Sequence, residues 1–384
     1  KLTEKGAIYV TSQQPVDIHG KPYNRSLLVG VLLIGTFCTI LNQTLLTTAL
    51  PTLMKEFDIS ASSVQWLTTG FLLVNGIMIP ISAWLINKFS SKKLYITAMS
   101  TFLIGTIICF VAQDFGMLLT GRLVQAAGVG VSMPLLQTIM LSIFPPEKRG
   151  AAMGTTGIVI GLAPALGPTL SGWIIDSYTW RDLFGMVIPI VVLVLILASF
   201  LMKNVIQLSN PSIDVLSVIL STLGFGSLLY GFSSVGDKGW GSPQVYGFLI
   251  VGAIVLCLFT YRQLHLEQPF LELRVFKSKV FTVAAILSGV TNMAMIGAEM
   301  VLPLYIQNIR GESAFHSGLM LLPGALVMGL MMPVTGRIFD KIGARRLAIT
   351  GMFILTAATL PFAFLTKATP IIYIIVLYAI RMFG

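Results

Sequence analysis

The sequence predicts an all-α polytopic membrane protein made of two pseudo-symmetric six-helix bundles and an inserted helix pair, and three observations carry that prediction. Of the 384 residues 55% are hydrophobic and only 10% charged, with a mean hydropathy of +0.87, which leaves too little polar surface to cover a soluble domain of this size. Apolar runs of about 20 residues, the length that crosses a bilayer, recur along the whole chain. Finally, a basic loop occurs twice, as Ala83-Trp84-Leu85-Ile86-Asn87-Lys88-Phe89-Ser90-Ser91-Lys92-Lys93 and as Gly336-Arg337-Ile338-Phe339-Asp340-Lys341-Ile342-Gly343-Ala344-Arg345-Arg346. Placing Asn87 on Asp340 gives an offset of 253 (340 − 87), and Leu50-Pro51 returns as Leu302-Pro303 at 252 (302 − 50).

The elements follow in order. Residues 1–24 are polar and hold no apolar core of the signal-peptide kind, so targeting rests on the first spanning helix. Runs at 27–50, 63–86, 94–113, 116–143, 151–175 and 183–202 form a first bundle, 25–203. Runs at 215–234 and 245–262 form a connecting pair within 204–273. Runs at 281–307, 316–336, 347–366 and 370–384 belong to a second bundle, 274–384, whose C-terminal part reads as truncated. The first loop copy follows the second run and its repeat follows the tenth. An inserted pair is the simplest way to obtain a shift of eight helices between two six-helix halves. Duplicated bundles are a known route to alternating access around a central site.

The formal charge of +10 comes from 25 Lys and Arg against 15 Asp and Glu. With a cytoplasmic N-terminus, eighteen basic residues fall on the cytoplasmic side and only five (Lys55, Arg181, Lys238, Arg310 and Lys367) on the other. The positive-inside rule explains this bias and fixes the expected orientation, so nucleic acid is not an expected partner. Cys38, Cys109 and Cys257 sit in apolar runs and read as small buried hydrophobes, while His19, His265 and His316 do not cluster. No metal site, P-loop, cofactor motif or hydrolytic nucleophile is expected, and an enzyme reading has little support.

Two basic residues lie inside helices. Arg122 occurs in Thr120-Gly121-Arg122-Leu123-Val124-Gln125, and Arg381 in Ala379-Ile380-Arg381-Met382-Phe383-Gly384. A charge in a bilayer needs a partner or a watery cavity, so Arg122 is a functional candidate; snorkelling is the alternative, since it lies only about six residues, or roughly 9 Å, from its helix end. The fifth run, Gly154 to Gly172, carries Gly161, Pro164, Gly167 and Pro168; small residues permit close packing and prolines bend a helix, which suits a gate. Glu299 is the carboxylate lying well inside a helix. It is the leading proton-coupling candidate, with a substrate-binding carboxylate for cationic compounds as the alternative. Asn42, Gln43, Trp66, Gln125, Gln137, Asn292, Tyr305 and Arg381 are expected to line a central cavity, and the 18 methionines suit an adaptable binding surface. Asp114, Asp176, Asp182 and Asp214, at helix ends, are expected to be caps.

These motifs together resemble the major facilitator superfamily, and within it the 14-helix drug:proton antiporters of the lincomycin-resistance type. The repeated loop matches that family's G-x-x-x-D-K/R-x-G-x-K/R-K/R pattern fully at Gly336 to Arg346, and departs from it at Ala83, Asn87 and Ser90. Leu119 to Gly128 resembles the family's buried-arginine signature, and the fifth run resembles the motif that marks antiporters. Much of the family carries an acid where this chain has Asn42. The resemblance implies gating roles for Asn87, Lys88, Asp340, Arg345 and Arg346, although a topology anchor alone would also explain their charges. It implies a multi-pass protein of the cell membrane, expected as a monomer, whose partners are small-molecule drugs, protons and the lipid bilayer. The expected function is proton-coupled efflux of hydrophobic small-molecule drugs by alternating access, with a lipid or cell-wall-precursor flippase as the alternative.

Overall fold

The computed structural model describes residues 15–18, 20–46, 49–209, 214–267, 269 and 271–384. It is all-helical: α1 Arg25–Leu45, α2 Leu50–Phe57, α3 Ala61–Lys88, α4 Ser91–Phe110, α5 Phe115–Ile143, α6 Arg149–Ser177, α7 Asp182–Gly185, α8 Val187–Leu201, α9 Val215–Lys238, α10 Pro243–His265, α11 Lys279–Leu304, α12 Ala314–Ile342, α13 Ala344–Thr359 and α14 Ile371–Phe383. Among the described residues, eleven helical spans are long and apolar enough to cross a membrane. The chain is a multi-pass membrane protein.

Short polar side chains start the helices where the apolar runs begin. Asn24 Oδ1 accepts from Leu27 N at 3.2 Å, Ser60 Oγ from Ser63 N at 3.2 Å, Asp114 Oδ1 from Met117 N at 2.8 Å and Ser313 Oγ from His316 N at 3.1 Å, each satisfying an amide that a helix start leaves without an intrahelical partner. The first apolar run is not one helix: α1 stops at Leu45, and Pro51, near the start of α2, opens a second short helix that ends at Asp58 in the left-handed region (φ 50). The eleventh run likewise gives way to a tighter turn at Leu360–Phe364, where Pro361 removes an α-helical donor. Prolines lie within α3 (Pro80), α5 (Pro134), α6 (Pro164, Pro168) and α12 (Pro323, Pro333).

Helices α1 and α3 to α8 share one core, in which Leu32, Phe71, Tyr95, Phe102, Leu135 and Val191 are fully or almost fully buried; the buried Tyr95 hydroxyl donates to Val31 O at 3.0 Å. A smaller core joins α11, α12 and α14 through Leu302, Met320, Met328, Ile374 and Tyr378. In lipid this packing is not driven by exclusion of water, so close approach and hydrogen bonds carry more of the cohesion. The pair α9 and α10 packs on itself and docks on α3. Asp214, expected as a cap, instead grips Arg262 with two contacts of 2.9 Å, and Ser217 donates to the same carboxylate. That pairing pulls the Asp214 carboxyl down to about 2, with the Arg262 guanidinium as the largest cause. Asp182 accepts from Thr179 N and Oγ1, and the side chain of Asp176 lies outside the described residues.

Candidate functional site

Arg122 is wholly buried in the α1–α3–α4–α5 packing, so it does not snorkel. Its Nη1 donates to Asn42 Oδ1 and Gln125 Oε1, both at 2.8 Å, and its Nε donates to Leu67 O at 3.4 Å. The guanidinium carbon lies 4.3 Å from the centroid of the Phe71 ring. Gln125 is itself aimed: its Nε2 donates to Thr106 Oγ1 at 2.8 Å, and that hydroxyl donates to Phe102 O at 2.7 Å. This relay points the amide oxygen, not the NH2, at the cation. No carboxylate pairs with Arg122 among the described residues, and its buried Nη2 has no hydrogen-bond partner there. The charge is therefore held by oriented dipoles and one aromatic face, and it remains uncompensated.

Arg381 repeats the arrangement in the second half. It is buried at 2% exposure, its Nε donates to Thr359 Oγ1 at 3.1 Å, and its Nη2 donates to Ala294 O. Thr359 stands 253 after Thr106 (359 − 106) and Ala294 stands 252 after Asn42 (294 − 42), so both arginines reach the Asn42/Ala294 position of their halves, while Arg381 bonds directly to the threonine that Arg122 reaches only through Gln125. The second copy has Gly384 where the first has Gln125, three residues beyond each arginine.

The second feature is a seam between α6 and α12. The two helices run antiparallel in contact from the basic-loop end, where Gly150 meets Gly336, through Gly154 and Met332, Gly161 and Gly329, to Thr169 and Gly318 at the far end. A Cβ on Gly154 would lie 2.7 Å from Met332 O, and one on Gly161 would lie 2.9 Å from Met328 Cε. Gly167 instead lies against Thr44 of α1, between Pro164 and Pro168. At the basic end α6 begins at Arg149, and its N-cap residue Lys148 offers no side-chain cap and its first turn no acid. Asp340 of α12 supplies both: Oδ1 accepts from Gly150 N at 3.1 Å and Oδ2 from Ala151 N at 3.0 Å. A carboxylate there satisfies two otherwise unpaired amides and the positive end of the helix dipole. The repeated loop's glycine thus does different work from a turn: Gly336 lies inside α12, where any side chain would strike Gly150 O, while Gly343 takes the positive φ of 78° that ends α12. The first copy makes no such cap. Asn87 Nδ2 donates at 3.0 Å to Ala83 O in its own helix, and Asn87 O accepts from Ser209 N at 3.1 Å.

The other sequence candidates separate. Asn42 and Gln125 converge on Arg122, and Gln43, the next residue of α1, is half-buried. Trp66 faces α9 and stacks on Tyr230, 5.6 Å between centroids. Gln137 is exposed, and Asn292 donates to Ser288 O of its own helix at 2.9 Å. The Tyr305 hydroxyl donates to Thr366 O at 2.6 Å. Arg345 and Arg346 are exposed at the start of α13, close after Lys341, and Lys88 closes α3. Glu299 belongs to α11, and its side chain lies outside the described residues. Thr106, the Leu67 carbonyl and Gly150 were not among the sequence candidates. A hydroxyl or a backbone carbonyl leaves no mark in a motif, and Gly150 lies just before the glycine-rich run that drew attention.

The chain resembles known transporters in both sequence and fold. It is 56% identical to an uncharacterized MFS-type transporter, YcnB of Bacillus subtilis, over 96% of this chain and 78% of that one. It is 43% identical to the lincomycin resistance protein LmrB of Listeria monocytogenes, over 93% and 76% of the two chains. The human organic anion transporter MFSD10 shares the fold at a TM-score of 0.65 and 13% identity, over 93% and 84% of the two chains. The family description Major Facilitator Superfamily matches residues 32–384, which include both buried arginines and the whole α6–α12 seam. This chain, with its duplicated halves and duplicated arginine pockets, belongs to the Major Facilitator Superfamily.

Proposed function

We propose that this protein exports hydrophobic small-molecule drugs across the cell membrane in exchange for protons, by alternating access. The observation that carries the reading is the α6–α12 seam, because its two ends differ chemically. The basic-loop end is held by a charge on a helix terminus, whereas at the far end Gly318 lies against Thr169 and Gly172 against Phe315. A seam of this kind opens one end without a penalty at the other, which alternating access requires.

In this reading 25–203 and 274–384 move as two bodies joined by 204–273. The N-terminus and the basic loops face the cytoplasm, and Asp340 closes the cytoplasmic end. Glu299 carries the coupled proton, taken up on the outside and released inside. Arg122 sets a positive potential within the first bundle that is not cancelled by an acid at Asn42, and so displaces proton chemistry to the second half. The 43% identity to a lincomycin resistance protein supports drugs as the substrate class, and the protein works as a monomer. The test is drug flux in proteoliposomes with an imposed pH gradient, comparing wild type with Glu299→Gln. Loss of proton-driven drug flux in a folded Glu299→Gln protein is expected. Wild-type flux in that variant would overturn the proton assignment, and lipid translocation without drug flux would favour a flippase.

A further inference from the structure

The inserted pair builds a cavity that owes nothing to the seam or to the second half. Between the far ends of α3 and α9 lies a space of about 150 Å³, walled by Trp66 and Tyr230 and lined further by Gln65, Thr69, Ser233, Ser234 and Lys238. Its shape is fixed from behind. Tyr230 packs edge-on against Phe248 of α10 at 4.6 Å, and Gln244 ties two walls together by donating to the Tyr230 hydroxyl at 3.4 Å while accepting from Lys238 Nζ. Thr69, Ser233 and Ser234 make no hydrogen bond among the described residues. In a membrane helix such a hydroxyl is normally returned to the carbonyl three or four residues before it, as Thr101, Thr138 and Ser199 do here. Three hydroxyl-bearing residues without a hydrogen-bond partner among the described residues, lining one small cavity beside Lys238, offer donors to something that is not protein.

The depth of the site narrows its occupant. Trp66 lies about 8 Å along α3 from its start, Lys238 is the last residue of α9, and the exposed Trp240 and Tyr246 flank the same end of the pair. That is the level at which aromatic side chains mark the membrane interface and phospholipid headgroups lie. One ammonium and three hydroxyl donors suit phosphate oxygens, and the aromatic walls suit the C–H faces of a glycerol arm. We propose that α3 and α9 bind a glycerophosphate group, presented as the headgroup of an anionic phospholipid from the leaflet opposite the basic loops. Because Leu67 of the same α3 turn gives its carbonyl to Arg122, an occupant there braces the helix that orients the buried cation.

The full chain, purified in detergent and titrated with phosphatidylglycerol or phosphatidylcholine, is read by native mass spectrometry for lipids retained. Phosphatidylglycerol is expected to be retained preferentially, with retention falling about tenfold in Lys238→Gln, as for loss of one charge-assisted hydrogen bond. A fall is also expected in Ser234→Ala, and none in Lys93→Gln on the basic face. Free glycerol 3-phosphate is the second arm: if it displaces the lipid with the same sensitivity to Lys238, the glycerophosphate chemistry stands and its source is soluble. Equal retention of phosphatidylcholine, or retention unchanged in both folded variants, would overturn the proposal.

Discussion

Replacing Asp340 by Asn removes the charge from the seam while keeping its size. The carboxylate accepts from Gly150 N at 3.1 Å and from Ala151 N at 3.0 Å. An amide keeps one acceptor oxygen and turns an NH2 toward the second amide, so one hydrogen bond, worth about 0.5–1.5 kcal/mol net, is lost. The interaction of the charge with the start of α6 is also lost, at about 0.3–1 kcal/mol for an exposed site. Because Asp340 is exposed to solvent, the upper ends of both ranges do not apply, and the seam's basic end should weaken by about 1–2 kcal/mol. That corresponds to a roughly five- to thirtyfold larger open population. Hydrogen–deuterium exchange resolved to the amides of Gly150 and Ala151 reads this population directly. Exchange at both should rise by that factor in Asp340→Asn, with the amides of α4 unchanged. Unaltered exchange at Gly150 and Ala151 would refute the argument that Asp340 caps α6.

Three further outcomes follow from the same geometry. Gly336→Ala puts a methyl group against Gly150 O, a backbone atom that cannot swing aside, and should cost about 1–3 kcal/mol of seam stability, seen as a lowered Tm and faster exchange along both α6 and α12. Asn42→Leu removes one of the two amide oxygens held by Arg122 Nη1 and should destabilise the fold by about 1.5–3 kcal/mol, whereas Asn42→Asp supplies the missing counter-charge and should raise Tm at neutral pH. The Asp214 carboxyl is held at about 2 in the fold, below its ordinary value of about 3.9. Its pairing with Arg262 therefore contributes fully above about pH 4 and is lost as pH falls through 2. Tm measured across that window should fall less in Asp214→Asn than in wild type.

The sequence made the fold legible because a bilayer imposes one strong constraint: each spanning helix must satisfy its own backbone and present about 20 apolar residues. Where helices break was less legible. The first run, read from hydropathy as continuous to residue 50, breaks before Pro51 starts α2, and Pro361 tightens the end of α13 inside a run read as continuous. Arg122 stands out as a charge inside an apolar helix, Gln125 as a polar residue in one, and Asn42 because it occupies a position where the resembled family carries an acid. Thr106 and the Leu67 carbonyl were hidden, since no composition signal separates a hydroxyl bonded across helices from one returned to its own. The loop motif showed which residues repeat, but not what Asp340 touches. Its partners, the amides of Gly150 and Ala151, lie 190 and 189 residues away and belong to the backbone. Trp66 was placed in a central cavity because aromatic residues line such cavities. Its direction is set by Tyr230 on the inserted pair, a contact that no periodicity within α3 reveals.

The most direct test of the account is drug and proton flux recorded together in proteoliposomes holding the wild-type protein, its Asp340→Asn variant and its Glu299→Gln variant under one imposed pH gradient. The account predicts coupled counter-flow of drug and protons in wild type, altered rates with coupling retained in Asp340→Asn, and no proton-driven drug movement in folded Glu299→Gln. Drug movement that ignores the pH gradient in wild type, or that persists under it in Glu299→Gln, would contradict it.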